Sequence, residues 1–329
     1  MEKIALIIAG GIGSRLWPIS TKTKSKQFIN LYNNETLIQN TIKRINKVFS
    51  YENIYVVGSI NQKEELYKNL KNIDKKNILL EPKLNKTACA IYYGLSKISK
   101  KHKEAIVGIF PSDHYIGNIN ELTKTLNNII KEKDDKITIL GIKPTKPDPK
   151  FGYLVPNKKG NELSTFIEKP NVHIAKKLIR KNALWSIGIY VGNINSYKKL
   201  YQKYLNNIYE EFEKNKKIDS IYNNIEGVSF EKEIIEKHPE YFKPYQSNLE
   251  WMDVGSFEGL DKIIAKGKNN NNLNENNTYL KSSNCTLIST EGKKIYAIGI
   301  SDLMMIENED TILIVKKNMY NNINKLKEE

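Results

Sequence analysis

The sequence predicts an α/β protein: a Rossmann-like, mixed but mainly parallel sheet flanked by helices, followed by a small all-β domain. Strand-like and helix-like segments alternate as far as residue 142, which is typical of right-handed βαβ units. Four prolines then punctuate residues 143–156, and short β-type runs occupy residues 279–315. We therefore predict a first domain over residues 1–265, a linker over 266–278 and a small β domain over 279–329.

Hydrophobic periodicity places the elements in order. The apolar run over residues 3–9 predicts the first strand, and apolar residues at helical spacing between 36 and 49 predict the first helix. Further strands are predicted over 53–57, 77–80, 105–110, 137–142, 164–167 and 184–191. Further helices are predicted over 62–70, 87–99, 119–130, 172–180, 196–213 and 230–237. A segment rich in Lys, Gly and Asn over 266–277 predicts the linker, and residues 316–329 predict a polar helix or a frayed end.

The charge balance does not indicate a nucleic-acid partner. Lys and Arg number 52 against 37 Asp and Glu, which gives a formal net charge of +15. The arginines are Arg15, Arg44 and Arg180 alone, whereas proteins that read base edges rely on the bidentate fork of Arg. The lysines are scattered over the predicted helices. We therefore interpret the excess charge as a solvated surface that attracts anionic substrates.

Membrane insertion and export are not expected from the sequence. No apolar run approaches the ~18–20 residues of a membrane-spanning helix. The N-terminal apolar run leads straight into Arg15 and lacks the cleavage pattern of a signal peptide. Cys89 and Cys285 lie far apart and fit no metal or redox spacing. These observations predict a soluble cytoplasmic protein with reduced cysteines and no membrane partner.

A glycine-rich turn follows the first strand and is the first candidate for chemistry. Glycines at a strand-to-helix turn let backbone N–H groups approach a phosphate. The turn lacks the third glycine of the dinucleotide fingerprint and the Gly-Lys-Ser/Thr of a Walker A loop, so a simple tight turn is an equal alternative. Two cations, Arg15 and Lys26, follow within about a dozen residues. Together they could clamp a polyphosphate as charge develops on a leaving oxygen.

Two aspartates are candidates for a metal site. Asp113 comes directly after an apolar strand, and Asp253 lies in the turn Trp-Met-Asp-Val-Gly. Out of context, a polar residue that caps a strand is the simpler interpretation of Asp113. Beside a phosphate-binding loop, a carboxylate at the carboxyl end of a strand is a natural ligand for Mg²⁺, because hard oxygen suits a hard cation.

Six motifs in one order resemble the sugar-1-phosphate nucleotidyltransferases, and within them the mannose-1-phosphate guanylyltransferases. The resemblance runs from Lys3 to about Val315. The motifs are Gly-Gly-x-Gly-x-Arg-Leu-x-Pro-x-Ser with Lys-Gln-Phe, Glu-Pro with Thr-Ala, Pro-Ser-Asp-His, Glu-Lys-Pro, Trp-Ser-Ile-Gly, and Trp-Met-Asp-Val-Gly. Each motif alone is a weak signal, but their shared order is specific.

The resemblance implies a role for each matching residue. It assigns catalysis to Arg15, Lys26 and Asp113, and binding of Mg²⁺ to Asp113 and Asp253. It implies that the nucleotide contacts Ala9, Gly10, Gly11, Gly13, Glu81, Thr87 and Ala88. It implies that the sugar phosphate contacts Gly152, Glu168, Lys169 and Ser186. The stretch from Ser229 through Glu231 to Glu236 matches a family segment for which we expect a role in packing and in the pocket wall.

Glu81 is our candidate for the residue that recognises the base of the nucleotide. A carboxylate can accept hydrogen bonds from guanine N1–H and the 2-amino group together, an arrangement that adenine cannot supply. We therefore hypothesise that Glu81 selects GTP. The alternative is an exposed loop glutamate.

Three positions depart from the family pattern. Ser25 stands where the family usually has Pro, and Lys86 stands where it has Asn before the Thr-Ala pair. Ser186 replaces the Asn that contacts the sugar, and its shorter hydroxyl cannot replace both amide functions. The chemistry is therefore better determined by the resemblance than the identity of the hexose.

The activity that the resemblance implies is transfer from GTP to mannose 1-phosphate, giving GDP-mannose and pyrophosphate by Mg²⁺-dependent in-line attack on the α-phosphate. It also implies that the tail is left-handed and β-helix-like and that the protein is a homodimer. Three alternatives stay open. They are the same reaction on another sugar 1-phosphate (glucose, heptose or an amino sugar), a non-catalytic regulatory homologue that binds nucleotide sugars, and a basic nucleic-acid-binding protein.

Overall fold

The computed structural model describes residues 1–11, 16–20, 25–30, 35–132, 134–214 and 216–327. The chain divides into two compact units. The first comprises Met1–Gly10, Thr41–Ser112 and Ile116–Trp251, and the second comprises Gly11–Asn40, Asp113–Tyr115 and Met252–Glu329. Within the described ranges, no helix is both long and apolar enough to cross a membrane.

The regular elements have the following bounds. The strands are β1 Glu2–Ile8, β2 Ile54–Ser59, β3 Ile78–Glu81, β4 Ala105–Pro111, β5 His114–Ile116, β6 Ile137–Ile142, β7 Tyr153–Pro156, β8 Leu163–Ile167, β9 Leu184–Asn193, β10 Phe242–Gln246, β11 Trp251–Asp253, β12 Asn277–Leu280, β13 Thr286–Ser289, β14 Ile295–Ile298, β15 Leu303–Asn308 and β16 Thr311–Lys316. The helices are α1 Leu37–Ile45, α2 Lys63–Asn69, α3 Lys86–Lys101, α4 Ile119–Glu132, α5 Val172–Arg180, α6 Ile194–Tyr204, α7 Asn206–Glu213, α8 Ile218–Asn224 and α9 Phe257–Ile263.

The first unit is built on one mixed sheet, in which the described residues contribute nine strands. Seven of them run in the order β10-β6-β9-β4-β1-β2-β3, with β7 and β8 attached beside β9. Strands β1, β2, β3 and β4 are mutually parallel, whereas β9 runs antiparallel to both β4 and β6. The predicted α/β class with a mainly parallel sheet and a small C-terminal β region is confirmed. The carboxyl ends of β1, β3 and β4 lie at one edge of the sheet, because parallel strands share a direction.

Helix α3 is the central helix of the first unit and lies directly on β1. Gly94 makes this approach possible, because a Cβ atom there would lie 2.4 Å from Leu6 Cδ1. Most of the helix is buried, and Tyr92 and Tyr93 pack among the aromatic rings of α7 and α8. The packing fixes the N-terminal end of α3, which carries Thr87 and Ala88.

Three local differences from the prediction have physical reasons. The helix predicted over 196–213 breaks at Leu205, whose φ of −130° and ψ of 47° are not helical. The segment predicted as helix over 230–237 contains a π-helical turn, Glu231–Ile235. The sequence missed strand β10, in which Pro244 weakens the pattern; this strand lies at the sheet edge, where proline is tolerated.

The second unit contains the C-terminal strands, which repeat along the chain. The parallel partners Asn277 and Ile295, and likewise Thr286 and Met304, are 18 residues apart. The same interval separates Ser283 from Ser301 in an isolated parallel bridge. A chain that returns to its own face at a constant interval forms a coil of stacked rungs, as in a β-helix. Strand β16 closes the coil by pairing antiparallel with β15.

The asparagine-rich segment predicted as a linker contributes to this coil. Asn271 and Asn272 are each only 4% exposed. Their side-chain amides donate to the backbone oxygens of Ser282 and Leu287, at 2.9 and 3.0 Å. These buried amides cap the first rung. The division into domains over 1–265, 266–278 and 279–329 stays a prediction.

Candidate functional site

A lysine held between two aspartates is the main feature of the second unit. Lys26 lies in a short 3₁₀ turn, Lys26–Phe28, and its side chain is only 4% exposed. Its Nζ atom is 3.0 Å from Asp113 Oδ2 and 3.1 Å from Asp253 Oδ1. Two carboxylates that are 140 residues apart in the chain therefore converge on one ammonium group.

Strand pairing brings the two aspartates together. Strand β5 begins directly after Asp113, and it pairs with β11, which ends at Asp253. Apolar side chains that lie near Lys26 or Asp253 in the sequence, among them Leu16, Val254 and Phe257, form one buried cluster of the second unit. The cluster anchors the backbone on which Lys26 and Asp253 are presented.

Lys26 and Asp113 stabilise each other's ionised forms. Burial raises the pKa of Asp113, but the charges of Lys26 and His114 and a hydrogen bond from Lys26 outweigh it and lower the pKa to about 2. Burial lowers the pKa of Lys26, but the two carboxylates outweigh this effect and raise it. Near neutral pH Asp113 therefore carries a negative charge and Lys26 a positive one.

The donor chemistry of this cluster fits a divalent cation. Two carboxylates already concentrate negative charge on a single cation, and each has a second oxygen that Lys26 does not use. Within the described ranges, no group of three or more Asp, Glu, His or Cys side chains could hold a metal. Mg²⁺ sites characteristically use one or two carboxylates and complete the shell with water and substrate phosphates. Asp113 and Asp253 suit that pattern.

The glycine-rich turn is described only in part, because Gly13 and Arg15 lie outside the described residues. Ala9 is buried, and its N–H donates to Val57 O at 2.7 Å, which continues the sheet. The backbone at Gly10 lies close to two side chains: a Cβ atom there would lie 3.0 Å from Glu81 Oε2 and 3.2 Å from Leu84 Cδ2. Gly11, by contrast, faces open space.

Glu81 ends strand β3 and is buried, with 2% of its surface exposed. Its Oε1 accepts a hydrogen bond from the Tyr222 hydroxyl at 2.8 Å, and its Oε2 faces Gly10. Burial raises the pKa of Glu81 to about 7, although the Tyr222 hydrogen bond lowers it in part. The alternative of an exposed loop glutamate is therefore wrong. The recognition of a guanine base by Glu81 stays a prediction.

Thr87 and Ala88 lie in the first turn of helix α3, and both make hydrogen bonds to neighbours within the first unit. The Thr87 hydroxyl donates to Glu231 Oε2 at 2.7 Å and accepts from the Phe230 N–H at 2.9 Å. Ala88 is buried, and its N–H donates to Val228 O at 3.1 Å. Contacts between a nucleotide and these residues therefore stay a prediction, and the Thr87 hydroxyl has other partners in this structure.

The four residues expected to face a sugar phosphate lie together in the first unit. The Ser186 N–H donates to Gly152 O at 2.8 Å. A Cβ atom on Gly152 would lie 2.7 Å from Glu168 Oε2, so only glycine permits the contact. Lys169 Nζ is 3.1 Å from Glu168 Oε1, and Lys169 has a positive φ of 50°. Non-glycine residues in this conformation are strained and concentrate at functional sites.

Sequence reasoning missed two tyrosines that complete these clusters. Tyr222, on α8, holds Glu81, and Tyr190, on β9, donates to Glu231 Oε1 at 3.2 Å. Both side chains are buried among apolar residues. In the sequence they are indistinguishable from ordinary core aromatics, so no local signal could have identified them.

Comparison with known proteins identifies the family to which the chain is similar. The nucleotidyl transferase family matches residues 4–270. A mannose-1-phosphate guanylyltransferase of Escherichia coli is 26% identical over 345 residues, covering 97% of this chain and 74% of that protein. The alginate biosynthesis protein AlgA of Pseudomonas aeruginosa is 26% identical, covering 95% of this chain and 69% of that protein.

A solved structure supports the fold over the full length. It is named as a mannose-1-phosphate geranyltransferase from Thermus thermophilus, and it superposes with a TM-score of 0.89 at 24% identity, covering 100% of this chain and 99% of that chain. At this identity the similarity is evidence for the fold alone. Because the family match spans most of the sequence, the chain belongs to the nucleotidyl transferase family of enzymes.

Proposed function

We propose that the protein transfers a guanylyl group from GTP to mannose 1-phosphate, giving GDP-mannose and pyrophosphate. The observation that carries the proposal is the convergence of Asp113 and Asp253 on Lys26. The choice of mannose and GTP rests on relatives named mannose-1-phosphate guanylyltransferase, which align with 95% or more of this chain. The reaction needs no nucleophilic side chain, because a phosphate oxygen of the sugar phosphate attacks the α-phosphorus in line.

The cationic side chains would stabilise the charge that develops on the phosphates. Lys26 is held at a fixed point by two short ion pairs, so its ammonium is oriented before substrate arrives. We assign it to the α-phosphate. Arg15 is assigned to the leaving pyrophosphate and the amides of Gly10, Gly11 and Gly13 to the triphosphate, whereas the Ala9 N–H already donates to Val57 O.

Asp113 and Asp253 would hold the divalent metal that the family generally uses, and we propose Mg²⁺. When bound, the ion would neutralise phosphate oxygens and so favour attack on the α-phosphorus. The low pKa of Asp113 keeps its carboxylate ionised across the physiological range.

Glu81 is the proposed determinant of the base. Among the described residues Tyr222 donates to Oε1 of the buried Glu81, which leaves Oε2 as the oxygen that would accept from guanine. A Glu81→Gln enzyme should lose its preference for GTP over ATP, UTP and dTTP, because an amide presents a donor where guanine also donates. An unchanged preference would defeat this assignment.

We assign the binding of the sugar phosphate to Gly152, Glu168, Lys169 and Ser186. Glu168 would accept hydrogen bonds from sugar hydroxyls, and the Lys169 ammonium would neutralise the phosphate. Ser186 favours a second candidate, the same reaction on glucose, heptose or amino-sugar 1-phosphates. Its hydroxyl already accepts from the Gly188 N–H at 3.4 Å, and it lacks the amide donor of the family's asparagine.

One assay tests the reaction and the substrate together. Pyrophosphate release is measured for GTP, ATP, UTP and dTTP crossed with mannose, glucose, heptose and glucosamine 1-phosphates, with and without Mg²⁺. We expect the greatest rate for GTP with mannose 1-phosphate in the presence of Mg²⁺. The Asp253→Asn enzyme should respond far less to added metal. Absence of pyrophosphate release from every pair would reject the proposal.

We also propose that the protein works as a homodimer in the cytoplasm. Leu280, Tyr296 and Ile298 of the C-terminal coil are 56, 69 and 67% exposed. Large apolar side chains in such a row are costly in water, which favours their burial against a second copy. Two free buried cysteines, Cys89 and Cys285, suit a reducing compartment.

A further inference from the structure

A π-helical turn lies in the first unit beside the proposed sugar site. The turn spans Glu231–Ile235, and the Glu236 N–H donates to Glu231 O at 2.9 Å, the i to i+5 bond that defines it. In an α-helix, residues five apart point about 140° away from each other. The wider π turn reduces that angle, and such turns occur frequently at functional sites. Here it directs Glu231 and Glu236 to the same neighbourhood.

Glu231 ties three elements together. Its Oε2 accepts from the hydroxyls of Thr87 and Ser229, each at 2.7 Å, and its Oε1 accepts from the Tyr190 hydroxyl at 3.2 Å. Thr87 lies in the first turn of helix α3, Tyr190 lies on strand β9, and Ser229 precedes the π turn. A carboxylate that receives three hydroxyl donors is fixed in orientation and has little capacity left for a ligand.

Glu236 holds the backbone of the residue proposed to bind the sugar. Its Oε2 accepts from the Glu168 N–H at 3.3 Å. The next residue, Lys169, is in the left-handed conformation, which is strained for a non-glycine residue and persists only where the surroundings enforce it. The hydrogen bond to Glu236 is one such constraint.

The charges around Glu168 also come from this turn. Burial is the main effect that raises the pKa of Glu168, and Lys169 opposes it. The negative charges of Glu231 and Glu236 raise it further. The groups that face Glu168 are therefore one ammonium and two carboxylates.

We infer that Glu236 is a positioning residue, which sets the orientation of the Glu168 carboxyl for the hydroxyls of a sugar 1-phosphate, while Glu231 anchors the turn that carries it. The inference rests on the proposed function, since it takes Glu168 to be the sugar-binding residue. Neither glutamate contacts the sugar itself. Glu236 follows the π turn and reaches the Glu168 backbone, while Glu231 at the start of the turn is held by Thr87 and Tyr190.

The first test is independent of activity. Amide hydrogen exchange at Glu168 is measured by NMR in the wild-type chain and in Glu236→Ala. Loss of the acceptor should speed exchange of that amide by about tenfold or more. Glu236→Gln keeps an acceptor oxygen and should remain close to the wild type. Glu233→Ala is the matched control, because Glu233 belongs to the same turn but pairs with the exposed Lys237.

The second test separates positioning from stability. In Glu236→Ala we expect the KM for the sugar 1-phosphate to rise about tenfold, while the KM for the nucleotide stays within about twofold. Glu236→Gln should recover much of the loss, and it should shift the acidic limb of the sugar-phosphate KM to lower pH, because one negative charge near Glu168 is gone. Glu233→Ala should match the wild type.

Several outcomes would overturn the inference. Unchanged exchange at Glu168 in Glu236→Ala would show that Glu236 does not hold it. Equal rises in both KM values, or a lower melting temperature with both KM values unchanged, would indicate a merely structural role. If the wild-type chain releases no pyrophosphate with any substrate pair, the proposed function fails, but the exchange measurement still decides whether Glu236 positions Glu168.

Discussion

At the scale of single residues, charge placement determines what the molecule can do. Lys26 is buried but has two carboxylate partners, whereas the hydrogen-bond partner of the buried Glu81 within the described part of the chain is a tyrosine hydroxyl. The pKa of Lys26 is therefore raised, and it stays charged, while the pKa of Glu81 is raised to about 7, and it is ionised only in part near neutral pH. Burial alone would have neutralised both groups, so the partners decide.

Removing the Lys26 ammonium should abolish most turnover. We expect Lys26→Ala to lose about 100-fold or more in kcat, because a preorganised cation at the reacting phosphate is lost. Circular dichroism should show a folded chain. Lys262→Ala removes an exposed lysine of the same unit and should leave kcat unchanged. Near-normal turnover in Lys26→Ala would exclude this lysine from the mechanism.

Glu81 should make the folded state less stable as the pH rises. The unfolded side chain loses its proton near 4.5 and the folded one near 7, so between these values the folded state binds more protons. Its contribution should therefore fall by about 3 kcal/mol from pH 4 to pH 8. Urea unfolding at several pH values measures the effect. Glu81→Gln should remove this slope, and Glu64→Gln, at an exposed position, should keep it. Identical slopes in all three proteins would contradict the assignment.

At the scale of elements, helix α6 anchors the start of α3 through one hydroxyl. The Tyr201 OH donates to Ala88 O at 2.8 Å, directly beside Thr87 in the chain. Tyr197 lies on the same helix and is equally buried, but its OH has no hydrogen-bond partner among the described residues. Two equally buried tyrosines of one helix therefore differ in whether the hydroxyl has a hydrogen-bond partner among the described residues.

This pair gives a matched test of packing. Tyr201→Phe should lower the free energy of unfolding by about 1–2 kcal/mol, because Ala88 O loses its donor inside the core. Tyr197→Phe should be neutral or stabilise by up to about 1 kcal/mol, since it removes a buried hydroxyl that has no partner. Chemical denaturation of both variants measures the difference. Equal losses in the two variants would refute the distinction.

At the scale of the whole molecule, the proposed homodimer depends on the exposed apolar residues Leu280, Tyr296 and Ile298 of the C-terminal coil. Thr278 lies beside Tyr296 and Leu280 beside Ile298 in the parallel pair β12–β14, so the apolar side chains form one continuous face. Ile298→Glu should convert the proposed dimer to a monomer, because a buried unpaired charge costs several kcal/mol at an interface. Light scattering after gel filtration measures the mass. Lys294→Glu, outside the strand, should keep the wild-type mass, and a monomeric wild type would contradict the proposal.

The sequence by itself determined the alternation of strands and helices, the mainly parallel sheet and the candidate residues. These depend on local periodicity, on glycine and proline, and on the order of motifs along the chain. Tertiary structure decided the rest: that Asp113 and Asp253 meet at Lys26, that Glu81 is buried beneath Gly10, and that Asn271 and Asn272 are packed in a segment that looks like a linker. The π turn at Glu231 and the edge position of Pro244 belong with these. Each depends on partners far away in the chain, whose packing a local pattern does not encode.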